Sequence, residues 1–193
     1  IITHVPTATT VSFPGFVTTF SDSTSASFTP EQVYGRMDNI VTYKGTTRSI
    51  DIAFDILSES LESAIQNMQN FAILARMMYP KFSKIDNAET MSLKAPPLLK
   101  IRYANLIKDS FSDDGLLCAA DRVSFKPDLT YGVFTPSDQP GKIYAKKYDL
   151  SFRVEPLHTH KLGWDEENNW MGGDSWPFTM GAAATSAQSL PPA

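Results

Sequence analysis

Two histidines, His158 and His160, are the residues whose type and spacing could do chemistry. Thr159 separates them, and Asp165 and Glu166 follow nearby. Side chains two residues apart on a strand point to the same face, so both imidazole rings could reach one metal ion. No spacing in the sequence fixes a third ligand, although true zinc motifs are specific in their spacing. The pattern therefore favours a polar strand end, and we assign no metal ligand.

The other candidates for catalysis are Cys118 and two carboxylates. Cys118 lies in a Leu-Leu-Cys-Ala-Ala context, which is typical of a small buried residue and not of an activated thiolate. As the single cysteine it cannot form an internal disulfide, so a reducing compartment during folding is the natural setting. Asp51 and Asp55 share a strand face, but nothing around them indicates the cleft that acid–base catalysis needs. We therefore predict no catalytic residue, no cofactor and no enzymatic activity.

The elements that would position these residues are mostly β-strands. From Ser49 to Ile56, polar and apolar residues alternate strictly, which is typical of a strand with one buried face. Ile40–Tyr43 is a second β-prone run, and the turn-prone residues Lys44–Thr47 between the two runs predict a hairpin. Further two-faced strands are predicted at Leu99–Tyr103, Leu116–Lys126 and Tyr144–Val154. A loop is predicted at 127–141, which holds three prolines and two glycines.

A single amphipathic helix follows the predicted hairpin. Ser58 is its predicted N-cap, with Glu59 and Glu62 in the first turn, where carboxylates suit the exposed N–H groups. Pro80 is expected to end the helix, because proline cannot donate and clashes with the preceding turn. The predicted buried stripe consists of Leu61, Ile65, Met68, Ala72, Ala75 and Met78. Such a helix would cover one face of a sheet, and a polar loop is predicted after it at 81–94.

The two ends of the chain differ in composition from its middle. Residues 1–30 are rich in Ser, Thr and Phe, and we predict an N-terminal arm that lies against the core or a neighbouring subunit, with Ser21–Ser27 as a connector. Residues 31–160 are the predicted β domain, and 161–193 a Trp-rich extended C-terminal tail. The candidate interface residues are Trp164, Trp170, Trp176, Phe13, Phe16 and Phe20. Folding of the tryptophans back on their own core is an equal alternative.

The overall composition bounds the function classes. A chain of 193 residues with 42% hydrophobic content is long enough for one domain with a sizeable core. Lys+Arg 17 against Asp+Glu 21 gives a net charge of −4, which argues against bulk electrostatic attachment to nucleic acid or anionic lipid. No apolar run approaches the ~20 residues that cross a bilayer, so we expect no membrane insertion. The N-terminal residues lack the pattern of a secretory signal.

Several short motifs occur in a fixed order along the chain. They are Tyr34–Asp38 (YGRMD), Thr46–Asp55 (TTRSIDIAFD), a capped helix ending at Met78–Pro80 (MYP), Ala95–Ile101 (APPLLKI) and His158–Trp164 (HTHKLGW). In these motifs the chain, from about Val33 to Trp164, resembles the tube-initiator or tube-cap baseplate proteins of contractile-tailed bacteriophages. Asn39 stands where many members of that family carry proline, a departure expected to change at most a turn.

The resemblance implies a mainly β (α+β) fold of the tail-tube type, an antiparallel β-sandwich or barrel flanked by one amphipathic helix. Six copies would form a ring whose inner β-barrel passes DNA without specific binding. The implied partners are the baseplate hub, the tail tube ring and possibly sheath or wedge proteins, in a virion assembled in the host cytoplasm. One of two residue sets is expected to face the lumen, either Ser49, Asp51, Ala53 and Asp55 or Lys147, Asp149, Ser151 and Arg153.

Other functions stay open alongside this one. Within the same class, the chain could be the major tail tube subunit or an adaptor between hub and tube. A baseplate hydrolase would need a nucleophile–base pair or a metal set that the sequence does not offer. A carbohydrate-binding module could use the three tryptophans of the C-terminal tail.

Overall fold

Nine strands and one helix make up the part of the chain that the computed structural model describes, residues 1–84, 91–111, 114–138, 140–173 and 176–178. The elements are β1 Ile2–His4, β2 Thr9–Val11, β3 Phe16–Glu31, β4 Ile40–Leu57, α1 Leu61–Met77, β5 Lys81–Lys84, β6 Met91–Ala95, β7 Leu98–Ile101, β8 Leu116–Phe134 and β9 Tyr144–Pro156. Seven strands form one antiparallel sheet in the order β2-β1-β7-β8-β9-β4-β3, and β5 pairs with β6. The predicted mainly β class with one helix is confirmed.

The buried face of the sheet follows the predicted alternation closely. The alternation in Tyr144–Val154 places Tyr144, Tyr148, Leu150, Phe152 and Val154 on one face. The last four are buried as predicted, and Tyr144 is only partly buried. The four buried residues pack beside Ile50, Ile52 and Ile56 of β4 and Leu99 and Ile101 of β7 in one core. Burial of each such side chain stabilises the fold by roughly 1.5–3 kcal/mol, so the alternation alone selects which face of each strand is covered.

The hairpin predicted within Ile40–Ile56 is wrong, because these residues form the single strand β4. Its partner is β3, and the polar run Ser21–Ser27, predicted as a connector, lies inside β3. A register shift between Ser27 and Phe28 leaves Lys44 as an extra residue, so a bulge absorbs the turn-prone segment. Hydroxyl pairs such as Ser25 with Thr47, 3.2 Å apart, replace apolar packing there.

The helix begins two residues later than predicted and buries a different face. Ser60 is the N-cap, and its hydroxyl accepts a hydrogen bond from the Ser63 backbone N–H over 3.2 Å. Glu62 lies in the first turn as predicted, Glu59 does not, and Pro80 follows the end of the helix. The buried residues are Ala64, Asn67, Phe71, Leu74 and Met77, not the predicted stripe. A spacing of three and four fits two neighbouring faces of this helix, so the pattern alone does not separate them.

Two predicted loops are partly strands. Residues 81–94 include β5 and part of β6, which form a small hairpin on their own. Strand β8 continues to Phe134 instead of ending near Lys126, and Pro127 pairs with Tyr148. The ladder between β8 and β9 is interrupted between Asp128 and Val133, where Gly132 has a φ of +88°. The turn-prone residues of 127–141 therefore interrupt the pairing of β8 with β9 and do not end β8.

The N-terminal segment is part of the sheet. Strand β1 lies between β2 and β7, and the Arg102 backbone N–H donates to the Ile1 carbonyl over 2.9 Å. Strand β3 crosses the predicted domain boundary at residue 30 and ends at Glu31. Residues 174, 175 and 179–193 of the predicted C-terminal tail lie outside the described residues. None of the described helical residues belongs to a helix that is long and apolar enough to span a membrane.

Candidate functional site

The two residue sets predicted as alternative lumen-facing surfaces share one face of the sheet. Asp51 pairs with Arg153, Ala53 with Ser151 and Asp55 with Asp149 across β4 and β9. Directly paired residues of antiparallel strands point to the same side. We call this surface the polar face, and it comprises Ser49, Asp51, Ala53, Asp55, Lys147, Asp149, Ser151 and Arg153 together with the β3 and β8 residues paired to them. Its orientation toward a lumen stays a prediction.

The neighbouring strands extend the polar face on both sides. Their residues are Thr19, Ser21 and Ser23 on β3 and Arg122, Ser124, Lys126 and Asp128 on β8. The β8 residues were not predicted as site residues, although the alternation in the predicted strand Leu116–Lys126 places Arg122 and Ser124 on its outward face. Phe16 pairs with Asp55 and is 69% exposed, so one large aromatic ring stands at the β3 edge of this face.

An ion-pair network occupies one end of the polar face around Lys147. Its Nζ lies 2.9 Å from Asp55, 3.2 Å from Asp149 and 3.8 Å from Asp128. The hydrogen bond to Asp55 and then that to Asp149 raise the pKa of Lys147 above its ordinary value. Asp55 and Asp149 are directly opposite each other, which alone would be repulsive. Lys147 therefore holds together carboxylates that would otherwise push the two strands apart.

A second arrangement of like charges lies toward the other end of the face. Arg122 on β8 is directly opposite Arg153 on β9, beside a cavity of about 230 Å³. Thr19, Ala53 and Ser151 also line this cavity. No carboxylate compensates the two guanidinium groups in the way that Lys147 compensates its neighbours, since neither arginine makes an ion pair in the described part of the chain.

The three tryptophans form a chain of ring contacts. Trp164 and Trp170 have centroids 5.4 Å apart, and Trp170 and Trp176 have centroids 4.9 Å apart. Asp165 holds the loop between the first two, since its carboxylate accepts from the Asn169 backbone N–H over 2.7 Å. That bond lowers the pKa of Asp165. Trp164 stays 67% exposed, and its role as an interface residue stays a prediction.

Trp176 covers a buried ion pair on the core side of the sheet. Its ring lies 5.6 Å from the guanidinium carbon of Arg48, which in turn pairs with Asp22 on β3. The side chains of Arg48 and Asp22 are only 4% and 10% exposed. This use of Trp176 agrees with the alternative in which tryptophans fold back on their own chain. No pattern along the chain predicted this pair, whose members are 26 residues apart.

The three phenylalanines predicted as interface residues have different environments. Phe13 stacks on Phe71 of α1 with centroids 4.9 Å apart, and Phe20 packs against the core. Phe13 and Phe20 thus serve the interior of their own chain, as expected of an arm lying against the core. Only Phe16 of the three remains exposed.

His158, His160 and Cys118 are the residues considered in the sequence analysis as candidates for metal binding or catalysis. The rings of His158 and His160 have centroids 5.6 Å apart, and burial lowers the pKa of His158, as do Arg48 and His160. The described residues contain no group of three or more His, Cys, Asp or Glu side chains placed to hold a metal ion. Cys118 is buried, as predicted, and burial raises the pKa of its thiol to about 12.

The helix stripe predicted as core instead lines an open apolar groove. Met68, Ala72, Ala75 and Met78 face Val123 and Phe125 of β8 across about 610 Å³. The groove lies on the side of the sheet that carries α1, and at the β8 bulge it is also lined by Asp121 and by Arg122 of the polar face.

Comparison with known proteins adds no assignment. No protein-family model matches this chain, and no curated protein matches it.

Proposed function

We propose that this chain is a structural virion protein of a contractile phage tail, forming a hexameric ring in the baseplate that initiates or caps the tail tube and lines the DNA channel. The hub and the tail tube ring are its proposed partners, with sheath or wedge proteins as further contacts. Assembly in the host cytoplasm and residence in the virion follow from this role. The proposal includes no enzymatic step and no cofactor.

The observation that carries the proposal is the pair of open edges on the four-stranded part of the sheet. In the described part of the chain, β3 is an edge strand over all of its 16 residues. On the other side, β7 pairs only with Leu116–Ala119 of β8, so the stretch Arg122–Asp128 has β9 as its one partner within the described residues. Long open edges are templates for pairing with another chain, and closure into a barrel removes them.

The strand directions suit closure with further copies. Strands β8, β9, β4 and β3 are antiparallel in that order. The edge β3 of one copy would therefore meet the edge β8 of the next copy in an antiparallel pair. The same edges on every copy make this contact head-to-tail, and a head-to-tail contact generates a ring when its rotation closes.

The charge of the polar face fits a channel that lets DNA pass. Four cations, Arg122, Lys126, Lys147 and Arg153, stand with four anions, Asp51, Asp55, Asp128 and Asp149. A surface with many unopposed cations would bind phosphates strongly and in a salt-dependent way. A balanced face predicts weak interaction and no sequence-specific recognition of DNA.

Electron microscopy of the purified protein, alone and mixed with a baseplate hub preparation, tests the proposal. Rings that form on the hub, with the polar face toward the hole, are the expected result. Long tubes formed by the protein alone would assign it instead as the major tube subunit. A ring with the polar face on its outer wall would contradict the proposal, as would a protein that stays monomeric with hub present.

A further inference from the structure

We propose that Arg122 and Arg153 together bind a phosphate-type oxyanion on the polar face. The inference goes beyond assembly, and it does not require a ring. It rests on the register of β8 against β9, on the absence of a partner for either guanidinium among the described residues, and on the small side chains beside them.

A β-bulge places the two arginines together. Ala120 pairs with Val154, so regular pairing would set Asp121 opposite Arg153. The register instead shifts between Ala120 and Arg122, Asp121 becomes the extra residue, and Arg122 takes the position opposite Arg153. Bulges re-aim side chains in this way near functional sites. Here the bulge keeps Val123 opposite Phe152 on the core side, and it sets Arg122 against Arg153 on the polar face, where two like charges repel each other unless an anion lies between them.

Neither arginine is neutralised by an ion pair within the described ranges of the chain. Among the described residues, the side chains of Arg122 and Arg153 form no hydrogen bond or ion pair. Asp51 is the carboxylate directly opposite Arg153 on its other side, and it also has no ion pair there. The row formed by Asp51, Arg153 and Arg122 thus carries two positive charges and one negative charge.

The surface beside the arginines has room for a small anion. The next row of the polar face consists of Thr19, Ala53, Ser151 and Ser124. A depression of about 230 Å³ lies beside Thr19, Ala53 and Ser151, and both arginines and Asp51 also line it. Ser151 carries a hydroxyl that can donate a hydrogen bond to an oxyanion.

The chemistry of the pair favours a phosphate group over a single carboxylate. Each guanidinium presents a planar fork of N–H donors, and a tetrahedral oxyanion has enough oxygens to accept from two forks at once. Such a group can belong to a free phosphate compound or to the backbone of a nucleic acid strand. Contact with a backbone phosphate positions a strand without recognising its sequence, so the site is compatible with the balanced charge of the whole face.

Isothermal titration of the full chain with inorganic phosphate, at constant ionic strength in sodium chloride, tests the proposal. Saturable binding that sulfate competes with is the expected result, because sulfate is a tetrahedral oxyanion that can accept from both forks in the same way as phosphate. Arg122→Ser and Arg153→Ser should each weaken binding about tenfold or more, the loss expected for a charged hydrogen-bonding group. Lys126→Ser is the matched control, since Lys126 is on the same strand and face but opposite Asp149.

Three results would overturn the proposal. They are no saturable phosphate binding by the unaltered chain, unchanged affinity in both arginine variants, or an equal loss in the lysine control, which would indicate only the general field of the face. Arg122→Asp guards against unfolding as an explanation: it creates an attractive pair with Arg153, so its Tm should rise while phosphate binding disappears. A short single-stranded oligonucleotide that displaces phosphate assigns the ligand to a nucleic acid backbone, and failure to displace it assigns a free phosphate compound.

Discussion

Asn67 of α1 donates a hydrogen bond from Nδ2 to the Ser58 hydroxyl over 3.1 Å, and both residues are buried. This bond joins the centre of the helix to the residue that directly follows β4. It also explains why a polar residue occupies the buried face of α1, since a satisfied amide can be enclosed at little cost.

Replacing Asn67 by Ala should therefore destabilise the fold. The Ser58 hydroxyl loses its partner while buried, and we expect a loss of about 1–3 kcal/mol in the free energy of unfolding. Urea denaturation measures this, with Gln66→Ala on the exposed side of the same helix as the control. Equal stability of the two variants would show that the bond contributes nothing.

The buried ion pair between Arg48 and Asp22 should contribute far more to stability than the exposed ion pair between Lys100 and Asp114. Arg48→Met leaves a carboxylate that is 10% exposed without its cation, and we expect a cost of about 3–5 kcal/mol. Lys100→Met breaks a pair whose side chains are 41% and 69% exposed, and should cost less than about 1 kcal/mol. Denaturant unfolding of both variants compares them. Similar losses would contradict the importance of burial.

The ring contacts around His158 should open at acid pH. Burial, Arg48 and His160 lower its pKa, and Asp22 and Asp109 oppose this less strongly. A lowered pKa means that the unfolded chain binds more protons, so this contribution to stability is present above about 6.5 and is lost as the pH falls through the folded pKa. Tryptophan fluorescence should change in this window, because the rings of His158 and Trp176 are 6.3 Å apart.

His158→Gln should remove that fluorescence transition. His4, whose pKa burial also lowers, is the control, since it lies on β1 with Thr7 as its hydrogen-bond partner. His4→Gln should leave the acid-induced change in tryptophan fluorescence unchanged. Persistence of the transition in His158→Gln would assign it to another group.

Cys118 should be unreactive while the protein is folded. Its side chain is fully buried, and its pKa of about 12 keeps the thiol protonated well above pH 8. Because the folded pKa is raised, this contribution to stability is present below the unfolded value of about 8.5 and is lost as the pH rises toward the folded value. A thiol-specific reagent at pH 8 should therefore label Cys118 only as fast as the chain unfolds. Rapid labelling of the native protein would contradict its burial.

Alternation of side chains was sufficient to predict the faces of β4, β7 and β9, because burial of apolar residues decides those faces locally. It failed for β3, where the run Ser21–Ser27 becomes a strand only because β4 supplies main-chain partners along its length. Composition contains no record of such a partner. The prediction of the buried helix face failed for another reason. Asn67 counts as polar in a hydrophobicity pattern, yet it can be buried because its amide is hydrogen-bonded to Ser58.

For the candidate site, the sequence predicted which residues of each strand face outward, but not which residues of neighbouring strands are paired. The alternation identified Asp51 and Arg153 as outward-facing, and the structure shows that they are paired. The juxtaposition of Arg122 with Arg153 depends on one extra residue, Asp121, in the register of two strands. Register between distant segments is set by the whole sheet, so a pattern read along one segment does not contain it.

The partnership between β3 and β4 extends beyond the end of β9. From Ile50 to Leu57, β4 has neighbours on both sides, whereas β3 is the one partner of Ile40–Ser49 among the strands that the structure describes. A ribbon of two strands opens far more readily than a strand enclosed in a sheet. Hydrogen–deuterium exchange should therefore proceed at two different rates along β4. Amide protons in its first half should be replaced by deuterium long before those in its second half, and the boundary between fast and slow exchange should fall at Ile50.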